Sequence, residues 1–307
     1  MNERVGQLTL GPDDLPQQQV IGVDWVRPGA FSAQEIQRIT AWYSKYHGAG
    51  DMDCARFVTF WLENDHQTFK NWRRLADSTM QGGFEAASVP ALVYLYSYTV
   101  LGWERGALYE IVAGLRAGVT KRQIVEIMAL AFIQAGPRGI SEVGRRCSDF
   151  LRDWDAEPDE GALAWPRDWY ADRNAFASGI DFSRKGMDAS EVERLGAWYL
   201  AHQGEIPDYV PFLAKWSPET LKAMRQRYEG AIDTLPKQMV PLMMFHLAAM
   251  QGNEEAMRRG VFQARKYGVR RNEIISTMNL AGLYVSDFGM SAMARFMDPI
   301  LSAWPDK

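Results

Sequence analysis

From Ser32 onward the apolar positions of the chain fall three and four residues apart, the spacing that puts side chains on one face of a helix. Ile36, Ile39, Trp42, Tyr43 and Tyr46 form the first such face, behind a Ser32/Glu35 capping box. A turn at His47-Gly48-Ala49-Gly50 ends it. Phe57–Leu62 opens a second apolar segment, and Phe69, Trp72 and Leu75 continue at helical spacing. Pro90 to Gly102, PALVYLYSYTVLG, is apolar almost all round and predicts a buried helix. Glu104–Ala117 follows and is stopped by Gly118. Thr120 with Gln123 caps a helix over 121–135, which Pro137 and Gly139 break. A further helix carries Val143, Cys147, Phe150 and Leu151. No segment alternates with period two, so the pattern predicts an all-α protein.

The pattern then repeats. GVTKRQIVEIMALAFIQAGPRG, from Gly118 to Gly139, recurs 150 positions later as GVRRNEIISTMNLAGLYVSDFG, from Gly268 to Gly289. Gly102 and Glu104 match Gly252 and Glu254 at the same offset. Ala41–Tyr43 (AWY) returns as Ala197–Tyr199, and the Ser32/Glu35 box returns as Asp188/Glu191, now 156 positions on. The period is too long for a solenoid and fits a duplicated domain. The predicted organisation is an arm at 1–28 that wraps the body or a neighbouring subunit, a helical domain at 29–151, a connector at 152–185 and a second helical domain at 186–307. The acidic first part of the connector reads as a turn-rich link. Its second part, with Trp165, Trp169, Tyr170, Phe176 and Phe182, is too aromatic for a solvated linker and is expected to pack on a domain.

Composition narrows the function classes. The chain has 307 residues, 47% of them hydrophobic, and a net charge of −4. A mildly acidic chain gives no footprint for nucleic acid or an anionic membrane. Cys54 and Cys147 stand in no metal or redox spacing. The start, MNERVGQLTLGPDD, lacks the apolar core of a signal peptide, and the longest apolar stretch, Val89–Trp103, is too short to span a bilayer. The expectation is a cytoplasmic protein with no membrane or nucleic-acid partner. His47, His66 and His202 show no ligand spacing, so no metal is expected.

The chemistry-bearing candidates cluster by helical spacing. Glu110 shares a face with Trp103, Gly106, Ala107, Ala113, Gly114 and Ala117. A carboxyl on such a stripe either sits beside a tight helix contact or serves as acid or base in a pocket. Arg138, at the turn after Ala-Gly-Pro, is placed to hold a carboxylate or is solvated. Gln134 and Tyr98, with Tyr96, are polar groups on apolar helices, suited to hydrogen-bonding a substrate oxygen or a buried backbone group. His246, in PLMMFHLAAM, stands 150 residues after Tyr96 and is a core histidine or a catalytic one. Tyr284 and Asp287 occupy the second version of the turn. The second copy of the Glu110 face reads Asn253, Ala256, Met257, Gly260, Gln263, Ala264 and Tyr267. Either the first half kept a pocket and the second became structural, or the second holds a differently lined pocket.

The Gly118-Val119-Thr120 turn, the Glu126-containing helix KRQIVEIMALAF and Ala135-Gly136-Pro137 resemble the carboxymuconolactone decarboxylase and AhpD-like alkylhydroperoxidase superfamily. The second copy is similar, with Arg270 in place of the threonine. The resemblance covers most of the chain outside the arm and connector. It implies two tandem AhpD-like helical bundles, closed homo-oligomers and no cofactor. The peroxidase branch needs Cys-x-x-Cys and a histidine; the matching positions are Trp103, Gly106 and Glu110, and Asn253, Ala256 and Gly260. Thiol peroxidase activity is therefore not expected. The decarboxylase branch carries a histidine where Glu110 stands. The resemblance then implies a cofactor-independent lyase acting on a small carboxylated lactone or ring-derived acid in aromatic catabolism. Arg138 would hold the carboxylate, with Trp103 and Tyr284 beside the substrate. Glu110 would move the proton, and Gln134, Tyr98 or His246 would assist. Hydrolysis, isomerisation or another lyase step in the same pocket is an alternative. So is a non-catalytic oligomeric or ligand-binding protein, which predicts that a neighbouring helix closes the face around Glu110.

Overall fold

The computed structural model describes residues 21–47, 56–80, 83–285 and 287–304. Most of the arm, the Gly48–Gly50 end of the first turn and Cys54 lie outside the described residues. Among the described residues the secondary structure is helical, with one isolated bridge between Ala171 and Pro236. The protein is all-α, and no described helix is long and apolar enough to cross a membrane. The chain forms two compact units, Met1–Gly82 and Gly83–Lys307. The expected boundary at 151/152 therefore falls inside the second unit.

The first unit contains α1 (Ala33–His47), α2 (Arg56–Asn64) and α3 (His66–Met80). The capping box forms as the spacing predicts: the Ser32 N–H donates to Glu35 Oε2 at 2.7 Å, and the Glu35 N–H to Ser32 Oγ at 3.3 Å. Trp25, Phe31, Tyr43 and Phe69 build an aromatic core. Lys70 is buried and spends its ammonium on the Arg27 and Gly29 carbonyls, at 2.7 and 2.9 Å. Arg73 donates to the Tyr43 hydroxyl at 2.9 Å and pairs with Asp77 at 2.5 Å. Leu75, expected inside, is exposed; Ala76 is the residue that continues the buried stripe one turn beyond Phe69 and Arg73.

The second unit opens with α4 (Ser88–Leu101), α5 (Glu104–Arg116), α6 (Lys121–Ala135) and α7 (Pro137–Asp153). After the connector come α8 (Ala189–Gln203), α9 (Tyr209–Trp216) and α10 (Pro218–Gly230). The chain ends with α11 (Met239–Gln251), α12 (Glu254–Lys266), α13 (Arg271–Gly282) and α14 (Asp287–Ser302). In the connector Trp169 and Phe176 are buried, Trp165 and Phe182 are half-buried and Tyr170 is exposed. Helices α4 and α11, the two apolar runs, pack against each other at the centre.

The backbone repeats at the offset read from the sequence. Gly102 and Gly252 end α4 and α11 in the left-handed region, at φ 73° and 64°. The next N–H, of Trp103 and of Asn253, returns to the Tyr98 and Ala248 carbonyls at 2.9 Å in both cases. Gly118 and Gly268 repeat likewise, and Val119 and Val269 bond back to Gly114 and Ala264 at 3.0 Å each. The contacts between the two sets are reciprocal. Glu126 on α6 receives the N–H groups of Asp233, Thr234 and Leu235, ahead of α11, at 3.0–3.1 Å. Ser276 on α13, 150 residues after Glu126, lies against Gly83, 150 residues before Asp233; a side chain at Gly83 would overlap it. These two contacts mirror each other at the offset of 150.

Candidate functional site

Five of the candidate residues converge at one place. Tyr98 of α4 lies edge-on to Trp103, with ring centroids 4.5 Å apart, and its hydroxyl is hydrogen-bonded to that of Tyr284. Tyr94, one turn before Tyr98, stacks on it at 5.5 Å and meets His246 edge-on at 5.2 Å. Glu110 on α5 faces the hydroxyls of Tyr94, Tyr98 and Tyr284, whose pKa values are raised first by burial and then by its charge or by one another's. Gly106 makes this packing possible: a Cβ there would stand 2.7 Å from Tyr98 Cδ2 and overlap the Trp103 indole. The small-residue stripe around Glu110 is thus filled by aromatic rings. His246 is fully buried, receives or gives a 2.8 Å hydrogen bond at Nδ1 with Ser97 Oγ, and is held down to about pKa 3 by desolvation. It ties α11 to α4 as a neutral core residue.

Burial pushes the Glu110 carboxyl well above its usual range. The folded state therefore keeps a proton that the unfolded chain releases from about 4.5 upward. From about 4.5 up to the raised folded-state pKa, stability falls as pH rises. Glu110→Gln is expected to raise the melting temperature at about pH 8 and to leave it nearly unchanged at about pH 4. Thermal unfolding at the two values checks this; a gain at low pH alone would contradict it.

The position equivalent to this cluster in the second half is a cavity of about 300 Å³. Its inner wall is the repeat of the cluster: Met244, Ala248, Asn253, Ala256 and Gly260 stand 150 residues after Tyr94, Tyr98, Trp103, Gly106 and Glu110. Tyr96 and Gln134 reach in from α4 and α6, as His246 and Tyr284 reach the first cluster from α11 and the end of α13. The outer wall comes from α8, α9 and α10. This face is open although larger side chains stand on it than on the first-half face. Met257 and Tyr267 are buried in the core, while Ala248 and Gly260 leave the interior of the face open.

Three guanidinium groups, Arg225, Arg227 and Arg259, line the cavity, and no Asp or Glu is among the lining residues. Arg225 is buried, stacks over Trp198 at 3.8 Å, pairs with Glu229 at 2.6 Å and donates to the Phe176 carbonyl. Ser178 Oγ donates to the same Glu229 oxygen, Oε1, at 2.5 Å. Arg259 pairs with Glu255 at 2.5 Å, and Arg227 donates to the Ile133 carbonyl at 3.3 Å. Amides and phenols supply further donors: Gln203 bonds Gln263 at 3.3 Å, and the Tyr199 and Tyr209 hydroxyls meet at 2.5 Å. Tyr96, Tyr209 and Tyr228 have their pKa values raised chiefly by burial, so they stay protonated. The lining therefore offers hydrogen-bond donors, with Arg225 and Arg259 paired to carboxylates outside the lining, Glu229 and Glu255.

Gln134 lines this cavity and not the Glu110 cluster. Arg138 is exposed on the first turn of α7 and is not among the cavity-lining residues. Sequence reasoning missed Arg225, Arg227, Arg259, Tyr199 and Tyr209. The available signal was the loss of Tyr98, Trp103 and Glu110 bulk at Ala248, Asn253 and Gly260. Among the described residues no group of His, Cys, Asp and Glu is arranged to hold a metal ion. Compared with protein-family profiles, curated proteins and solved structures, the chain matches none of them.

Proposed function

We propose that the protein binds a small organic acid in the cavity of its second half. The observation that carries this is a lining of three arginines and several amides and phenols with no carboxylate. A guanidinium in a low-dielectric cleft is the usual partner of a carboxylate. The apolar lining, Leu221, Leu247 and Met244, suits an acid with a hydrocarbon body. A thermal-shift screen of carboxylates against their methyl esters tests it. An acid at about a hundred times its dissociation constant adds about 2.7 kcal/mol, roughly 5–10 °C for a chain of this size. Equal shifts with the esters, or none with any acid, would refute the reading.

A second reading is a cofactor-independent lyase or isomerase at Glu110. It is supported by the protonated carboxyl beside Tyr98 and Tyr284, and by the resemblance to the carboxymuconolactone decarboxylase and AhpD-like superfamily. The reciprocal helices at an offset of 150 are what a tandem duplication of such a module would give, and a cytoplasmic homo-oligomer goes with it. Product analysis on a lactone panel, with Glu110→Gln as the inactive control, tests this reading.

A further inference from the structure

The first half shows what fits the space that the second half leaves open. Backbone hydrogen bonds place Tyr98 and Trp103 at the same points of their helices as Ala248 and Asn253. In the first half a phenol and an indole meet there edge to face, at 4.5 Å and 78°, over Gly106. In the second half both rings are absent. Ala248 has no ring, and the Asn253 side chain turns back to accept the Ala256 N–H at 3.0 Å, capping α12. The wall behind the rings is kept in kind. Tyr94, stacked on Tyr98, becomes Met244, and a thioether also packs well on an aromatic ring. Tyr96, Tyr199, Tyr209 and Tyr228 add ring surfaces around the same space.

The rim changes in the opposite sense. Trp103 and Tyr284 of the first cluster are exposed, as is Leu101 at the end of α4. Their counterparts 150 residues away are Gln251, Asn253 and Gln134, all exposed, polar and on the cavity lining. The cavity thus combines an interior cut for flat rings with a rim of amides and guanidinium groups.

We propose that the ligand is a planar aromatic carboxylate of about two fused rings. Its rings would lie in the plane that Tyr98 takes in the first half, beside the space that the Trp103 indole fills there, and its carboxylate at the Arg259 side of the rim. This rests on the reading of the cavity as an organic-acid site, and the test separates the two. Titration calorimetry compares 2-naphthoate, its saturated analogue decahydro-2-naphthoate and the neutral 2-naphthalenemethanol. The expected order is 2-naphthoate first by about tenfold or more. Refilling the space with Ala248→Tyr or Asn253→Trp is expected to weaken 2-naphthoate by about tenfold or more. Asn253 is exposed and its counterpart is already Trp, so this variant serves if Ala248→Tyr does not fold. Equal affinity for the saturated acid would overturn the aromatic assignment and leave the acid site standing. Equal affinity for the alcohol would overturn the acid reading and this proposal with it. Undiminished binding by a folded Asn253→Trp protein would overturn the placement. No binding of any probe would overturn both.

Discussion

Replacing Glu126 with alanine is expected to lower stability by about 3–5 kcal/mol, the range for removing one partner from a buried charged network. The carboxylate is 1% exposed and accepts three consecutive backbone N–H groups, those of Asp233, Thr234 and Leu235. It also accepts from Thr234 Oγ1 at 2.9 Å and pairs with Arg122 at 3.0 Å. Removing it strands those donors at the entrance to α11, each at a cost of about 1–3 kcal/mol where water does not reach. Glu126→Gln keeps one acceptor oxygen and should fall between the two. Urea unfolding measures the midpoints. A loss below about 1 kcal/mol for the alanine variant would mean that the loop before α11 is held by something else.

Arg225→Ala is the second large effect, and it should be felt in stability and binding together. The guanidinium sits under Trp198, bridges α10 to the connector through the Phe176 carbonyl, and neutralises Glu229. Its loss leaves a carboxylate with Ser178 as its remaining partner, at a cost of about 3–5 kcal/mol, and removes a cation from the cavity wall. Arg225→Lys keeps the charge but not the stacked, forked geometry, so it should recover part of the stability. Denaturation midpoints and acid titrations of the two variants check this. A fully stable alanine variant would contradict the network as described.

The contrast between fold and site in what the sequence discloses has a physical cause. Helix ends are set by local chemistry. The Thr120/Gln123 box places α6 at Lys121–Ala135, and Gly102 and Gly118 stop α4 and α5 where the spacing puts them. Glu110, Tyr98, Trp103, Tyr284 and His246 were legible as candidates because each is a polar or aromatic side chain at an unusual position. Their convergence depends on the packing of α4 against α11 and α13, since His246 and Tyr284 lie more than a hundred positions from the other three. The cavity was harder to see. It is made by small residues, Ala248 and Gly260, and a cavity is a relation among helices that no single segment carries. Its outer wall, α8 to α10, enters only through packing. The same holds for Glu126, a motif residue in the sequence whose role depends on a loop more than a hundred positions away.

The most direct test of the account is calorimetric titration of 2-naphthoate into wild type, Arg227→Gln/Arg259→Gln and Glu110→Gln. Both arginines reach solvent, so the double variant should fold. The account predicts about a tenfold or greater loss of affinity in the double variant and an unchanged isotherm for Glu110→Gln. The opposite result, binding lost with Glu110 and kept without the arginines, would place the site in the first half and contradict the account.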